Sequence, residues 1–173
     1  VVVGRDAFYE NTGGNYNIAI GYQALEKNTT NNNTAIGYVA LEENTTGTQC
    51  VAVGYGALTN NTTANYNTAV GAQALEVSST GAQNVAVGYQ ALHDLTTGSY
   101  NVALGMYANE NGTTCNGAIA IGHGALKTDT DGSYAVAIGF EALKSQTTAT
   151  SMVAVGYRAG QNITTGSNNT LLG

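Results

Sequence analysis

A glycine returns every seventeen residues along the whole chain. It stands at Gly4, Gly21, Gly37, Gly54, Gly71, Gly88, Gly105, Gly122, Gly139, Gly156 and Gly173, so the spacing is 17, then 16, then 17 eight times. Such a period makes each repeat one supersecondary unit that buries its apolar face only by stacking on its neighbours. The unit from Asn84 to Tyr100 reads N-V-A-V-G-Y-Q-A-L-H-D-L-T-T-G-S-Y. It is too short for a helix pair, which takes ~33 residues, and shorter than a leucine-rich unit of ~20. The single 16 comes from one residue lost between Asn28 and Asn33. Loops absorb deletions and strands do not, so the segment before the glycine is the constant part.

That segment, N-V-A-V-G, alternates with period 2 and is β-branched, which predicts a strand beginning three residues before each glycine. The N-T-T-G part is turn chemistry. The Y-Q-A-L part is too short to nucleate a helix, so a second short strand is expected there, with the glycine at the bend. The chain is therefore expected to be all-β: a parallel β-solenoid (β-roll) of about ten 17-residue coils, with residues 1–173 forming one repeat array. Proline is absent from the sequence, as suits a backbone whose N–H groups serve ladders on both sides. Val1-Val2-Val3-Gly4 and Thr170-Leu171-Leu172-Gly173 share one repeat phase. Neither end has the polar cap that a solenoid needs, so an ordered slice of a longer fibre is expected.

Two columns hold alanine almost without exception. One, two residues before the glycine, includes Ala52, Ala86, Ala103, Ala120, Ala137 and Ala154; the other, three residues after it, includes Ala57 and Ala91. A place that admits only a methyl group is sterically tight, so both columns are expected inside a narrow roll where two short sheets approach. Strand alternation then points the flanking aliphatics outward. These are Val51 and Val53, Val85 and Val87, Val102 and Leu104, Ile119 and Ile121, Val136 and Ile138, Val153 and Val155. A full-length apolar stripe is unusual on a monomer, and burial against further copies of the chain resolves it.

The N-x-[VI]-A-[VI]-G unit, carried by Asn17, Asn67, Asn84 and Asn101 with the residues after them, resembles the head repeats of trimeric autotransporter adhesins. The longer N-T-A-I-G-Y-x-A-L-x-x-N-T-T-G unit is similar to repeats in phage tail fibres and related bacterial tail-fibre-domain proteins. The resemblance covers essentially all 173 residues. It implies a left-handed parallel β-roll and a homotrimer, an extracellular place on a virion fibre or cell surface, and a structural role in attachment. Cys50, Ala118, Ala135 and Met152 replace the asparagine, so the coil does not require it.

Composition narrows the partners. Five basic against eleven acidic residues give a net charge of −6, and 9% of residues are charged. Five scattered cations make no phosphate-binding surface, so no nucleic acid is expected. No apolar run is long enough to span a membrane, and no signal peptide is visible. Tyr22, Tyr38, Tyr55, Tyr89 and Tyr157 form a column after the glycine; Phe140, His123, Met106 and Ala72 are its variants. A second column holds Tyr16, Tyr66, Tyr100 and Tyr134. Coil-on-coil ring ladders are the expected role of both. The alternative makes the first column a glycan contact of a lectin-like solenoid, reaching a cell-surface glycan or receptor. The pairs Thr45/Thr46, Thr62/Thr63, Thr96/Thr97 and Thr164/Thr165 suggest an ice-binding array, but they belong to turns. Asp129-Thr130-Asp131-Gly132 imitates a calcium loop without its distal ligands. His93 and His123 have no partners at metal-ligand spacing, and Glu26, Glu42, Glu76 and Glu110 form a solvated face with Lys127 and Lys144. No enzyme, cofactor or metal is expected. Cys50 and Cys115 lie three to four coils apart and are expected to be free thiols.

Overall fold

The computed structural model describes every residue except Ala149. The chain is a parallel β-solenoid of about ten turns, and no helix occurs among the described residues. Eleven strands, from β1 (Val2–Val3) and β2 (Ile18–Ile20) to β11 (Thr170–Leu172), stack in sequence order into one parallel sheet. Each strand after β1 covers the three residues before a repeat glycine, and alanine pairs with alanine down the stack, as in Ala86↔Ala103 between β6 (Val85–Val87) and β7 (Val102–Leu104). The short 16-residue coil keeps this register: Ala19 pairs with Ala35.

The expected second strand is absent, and with it the second sheet. The residues after each glycine form nested turns instead. In one coil Ala24 N–H donates to Gly21 O, Glu26 N–H to Gln23 O, and Asn28 N–H to Leu25 O. Gln23 and Leu25 have φ of 52° and 55°, the left-handed region. This tips the middle peptide of each turn along the solenoid axis. Gln23 N–H donates to Arg5 O of the preceding coil at 3.0 Å, while Leu25 N–H donates to Ala40 O of the following coil at 3.0 Å. The turns therefore carry ladders as regular as those of the sheet. The physical reason for the error is that period-2 alternation cannot bury two consecutive side chains, yet Ala24 and Leu25 are both fully buried.

That pair reveals the core. Leu25, Leu41, Leu58, Leu75, Leu92, Leu126 and Leu143 are fully buried beside the two alanine columns. The alanines keep the strand wall close to the turn wall, and leucine fills the space between them. The repeat glycine closes the bend. At Gly88, φ is +136°, and an added Cβ would lie 2.6 Å from the carbonyl carbon and oxygen of Gly105 in the next coil. Neither the backbone angle nor the stacking leaves room for a side chain.

Candidate functional site

Three axial features run along the solenoid: an aliphatic stripe, an aromatic ladder and a buried polar seam. The stripe is made by the outward residues of the strands. In each strand from β2 to β10 the central alanine is buried while its neighbours are half-buried or exposed. Val51, Val53, Val85, Val102, Ile119, Ile121, Val136 and Val153 are half-buried. Val87, Leu104, Ile138 and Val155 are 36–39% exposed. Ala52, Ala57, Ala86, Ala91, Ala103, Ala120, Ala137 and Ala154 are all fully buried.

The first tyrosine column stacks ring on ring. Tyr22–Tyr38 and Tyr38–Tyr55 centroids lie 5.1 and 5.3 Å apart with nearly parallel planes. His123–Phe140 and Phe140–Tyr157 repeat the arrangement at 5.1 and 5.5 Å. Such stacking covers ring faces and leaves edges to solvent, although Tyr38, Tyr55, Tyr89 and Tyr157 are exposed as residues and Tyr22 half-buried. The second column departs from the expected ladder. Tyr66, Tyr100 and Tyr134 occupy every other coil, separated by Gln83 and Gly117. Among the described residues, no ring contact involves them. Their φ lies between 58° and 64°, and the rings are exposed.

The buried seam explains the asparagines. Asn84 Oδ1 accepts the backbone N–H of Asn101 in the next coil at 2.9 Å, and its Nδ2 donates to Gly98 O at 2.9 Å. Asn33 treats Cys50 N–H and Gly47 O in the same way, at 2.9 Å each. One side chain thus satisfies two buried backbone groups of the following coil. Cys50 keeps only the donor half, its thiol lying 3.3 Å from Ala64 O. A second buried column runs alongside: Asn44 Nδ2 donates to Asn28 Oδ1 at 2.7 Å and Asn61 Nδ2 to Asn44 Oδ1 at 2.9 Å. Repeat comparison exposed the first column's pattern without its purpose; the second was hidden in the turn. Asn28, Asn44 and Asn61 also head N-x-[ST] sequons, but their side chains are fully buried.

In this second column Asp129 replaces asparagine. Its Oδ1 accepts Gly132 N–H at 2.9 Å, so the calcium-like segment is a turn. Burial pushes its carboxyl from the ordinary 3.8 up to about 7. Burial likewise raises Cys50 and Cys115 to about 11, and both are free thiols. Neither is the low-pKa nucleophile that thiol chemistry requires.

The remaining polar groups are engaged along the axis. Thr45, Thr62, Thr96, Thr113 and Thr130 each donate a hydroxyl to a carbonyl of the next coil, at 2.9–3.1 Å. His93 lies between Asp94, 2.6 Å from Nδ1, and Glu76, 3.2 Å from Nε2, a neighbourhood that sequence spacing did not indicate. Among the described residues, no set of three or more His, Cys, Asp or Glu is gathered as a metal site, no cavity is enclosed, and no helix is long and apolar enough to cross a membrane. No protein-family model, curated protein or solved structure matches the chain.

Proposed function

We propose that the chain is a shaft or head segment of an extracellular homotrimeric fibre that mediates attachment to a host or surface, and that its role is mechanical rather than enzymatic. The observation that carries this reading is the aliphatic stripe. It is continuous because every strand pairs in register with the next. Half-exposed Val, Ile and Leu over ten coils form a larger apolar surface than a soluble monomer normally leaves to water. A continuous stripe along a rod is buried by copies arranged around a parallel axis, which is a cyclic assembly. Three chains follow from the resemblance of the repeats, and so does the place on a virion fibre or cell surface.

The ladders suit such a role, since backbone bonds in every coil run along the axis and resist both bending and slippage. A glycan reading of Tyr22, Tyr38, Tyr55, Tyr89 and Tyr157 has less support, because sugars stack on ring faces and the ladder covers most of them. Sedimentation equilibrium tests the assembly. The expected mass is about 53 kDa, three times the 17.6 kDa chain. The double substitution Val87→Lys with Leu104→Lys should release monomer, and a monomeric unaltered chain at micromolar concentration would sink the reading. Glycan-array binding that disappears in Tyr55→Ala would favour the lectin instead.

A further inference from the structure

The aromatic column is interrupted twice, and the two interruptions differ. At Met106 the adjacent Tyr107 fills the break, edge-on to Tyr89 at 5.5 Å and to His123 at 5.8 Å. At Ala72 the adjacent residue is Gln73, whose Oε1 accepts from Gln90 Nε2 at 3.1 Å. No ring fills that break: among the described residues, no ring contact joins Tyr55 to Tyr89. Two coil steps separate them, about 10 Å at ~4.8 Å per strand. One planar group at the ladder's own spacing of 5.1–5.5 Å fits the interval.

The rest of the ladder indicates which planar group. Arg5 occupies the same column in the first coil, and its guanidinium sits 5.9 Å from the Tyr22 centroid, taking the place of a ring. Arg158 lies 5.8 Å from Phe140 and 5.0 Å from Tyr157, beside this stacked pair. Lys127 stands 4.3 Å over Tyr107. Three of the chain's five basic residues therefore lie against rings of the ladder. Among the described residues, neither Tyr55 nor Tyr89 has such a contact.

We propose that the notch over Ala72, between Tyr55 and Tyr89, binds a guanidinium group. A guanidinium is flat and weakly hydrated, so it can face both rings together, whereas a spherical, strongly hydrated ammonium meets one face at a time. An arginine on a protein partner and a small free guanidinium compound share this chemistry. The site does not depend on the proposed assembly, whose mass measurement is separate.

The test follows the ring signals of Tyr55 and Tyr89 by NMR, identified through Tyr55→Phe and Tyr89→Phe. The full chain is titrated with acetyl-Gly-Arg-Gly-amide, with the same peptide carrying neutral citrulline, and with agmatine. The arginine peptide should shift both rings saturably, and citrulline should bind about tenfold more weakly. Ala72→Tyr, which fills the notch, should abolish the shift. Peptide binding tighter than agmatine binding assigns the site to arginine on a protein; equal binding assigns it to small guanidinium compounds. Absence of a saturable shift with either guanidinium probe overturns the proposal, as does citrulline binding equal to arginine. Should Ala72→Tyr fail to fold, the citrulline comparison on the unaltered chain decides.

Discussion

The coils around Asn28, Asn33 and Asn44, which include the 16-residue one, and those around Ala118, Asp129 and Ala135 share their strands and glycine bends and have different interiors. Strand pairing is identical: Ala35↔Ala52 in one region matches Ala120↔Ala137 in the other. In the first region the seam is amide to amide, with Asn44 Nδ2 donating to Asn28 Oδ1 at 2.7 Å and Asn33 Nδ2 to the same oxygen at 3.0 Å. In the second, Ala118 and Ala135 supply no amide, and the buried carboxyl of Asp129 faces Gly132 N–H. The coil is thus held in common by its ladders and glycine bends, while the polar seam adds stability locally. The aromatic ladder divides along the same line, Tyr22 to Tyr55 on one side of Ala72 and Tyr89 to Tyr157 on the other.

If the backbone is the shared element, breaking it should cost the same in both regions. Gly37→Ala and Gly139→Ala each push a Cβ into the carbonyl of the glycine in the next coil, at φ of +141° and +136°. Strain and overpacking together predict a loss of about 3–6 kcal/mol for each, read by chemical denaturation. Unequal losses would show that the two stacks are not equivalent.

The buried acid should make the second region more sensitive to pH than the first. The folded-state pKa of Asp129 is raised, from the ordinary 3.8 to about 7. The folded chain therefore binds more protons than the unfolded chain between those values, and this stabilising term is full below about pH 4 and lost as pH rises through 7. The term is on the order of 4 kcal/mol. Asp129→Asn, which restores the residue of the column, should raise the melting temperature at pH 8 and flatten its dependence between pH 4 and 8. A variant as pH-dependent as the parent would assign that dependence elsewhere.

Exchanging the seams gives a smaller effect. Asn33→Ala leaves Cys50 N–H without its buried acceptor, while Gly47 O keeps the Asn44 amide as donor, a loss of about 1–3 kcal/mol in denaturant unfolding. Ala118→Asn offers the Ala135 N–H an acceptor and should stabilise by about 1 kcal/mol at most. A destabilised Ala118→Asn would mean that the second interior has closed around its methyl groups. Smallest of all, Ala72→Tyr joins the two ladders and should add about 0.5–1 kcal/mol of stacking, visible as a small rise in melting temperature.

Much of this architecture can be read from the repeat alone. The strand positions, their parallel order, the buried alanines and the outward Val/Ile pairs follow from period-2 alternation around a recurring glycine. The free state of Cys50 and Cys115 follows from their separation by several coils. The turn wall does not follow, because Gln23 and Leu25 adopt left-handed φ that their residue types disfavour. Only ladder bonds to Arg5 and Ala40 in adjacent coils make that conformation favourable. The Leu25 column is misread for the same reason, since local alternation assigns consecutive residues to opposite faces.

The candidate sites divide in the same way. The sequence by itself determined the period, the strand register, the aliphatic stripe and the tyrosine column, because each depends on what recurs at a fixed place in every coil. Only the tertiary structure decided that Asn33 spans two backbone groups of the next coil, that Tyr107 repairs the ladder at Met106, and that among the described residues no ring spans the break at Ala72. These depend on which side chains meet between coils, at distances of 3–6 Å set by backbone angles that no single repeat specifies.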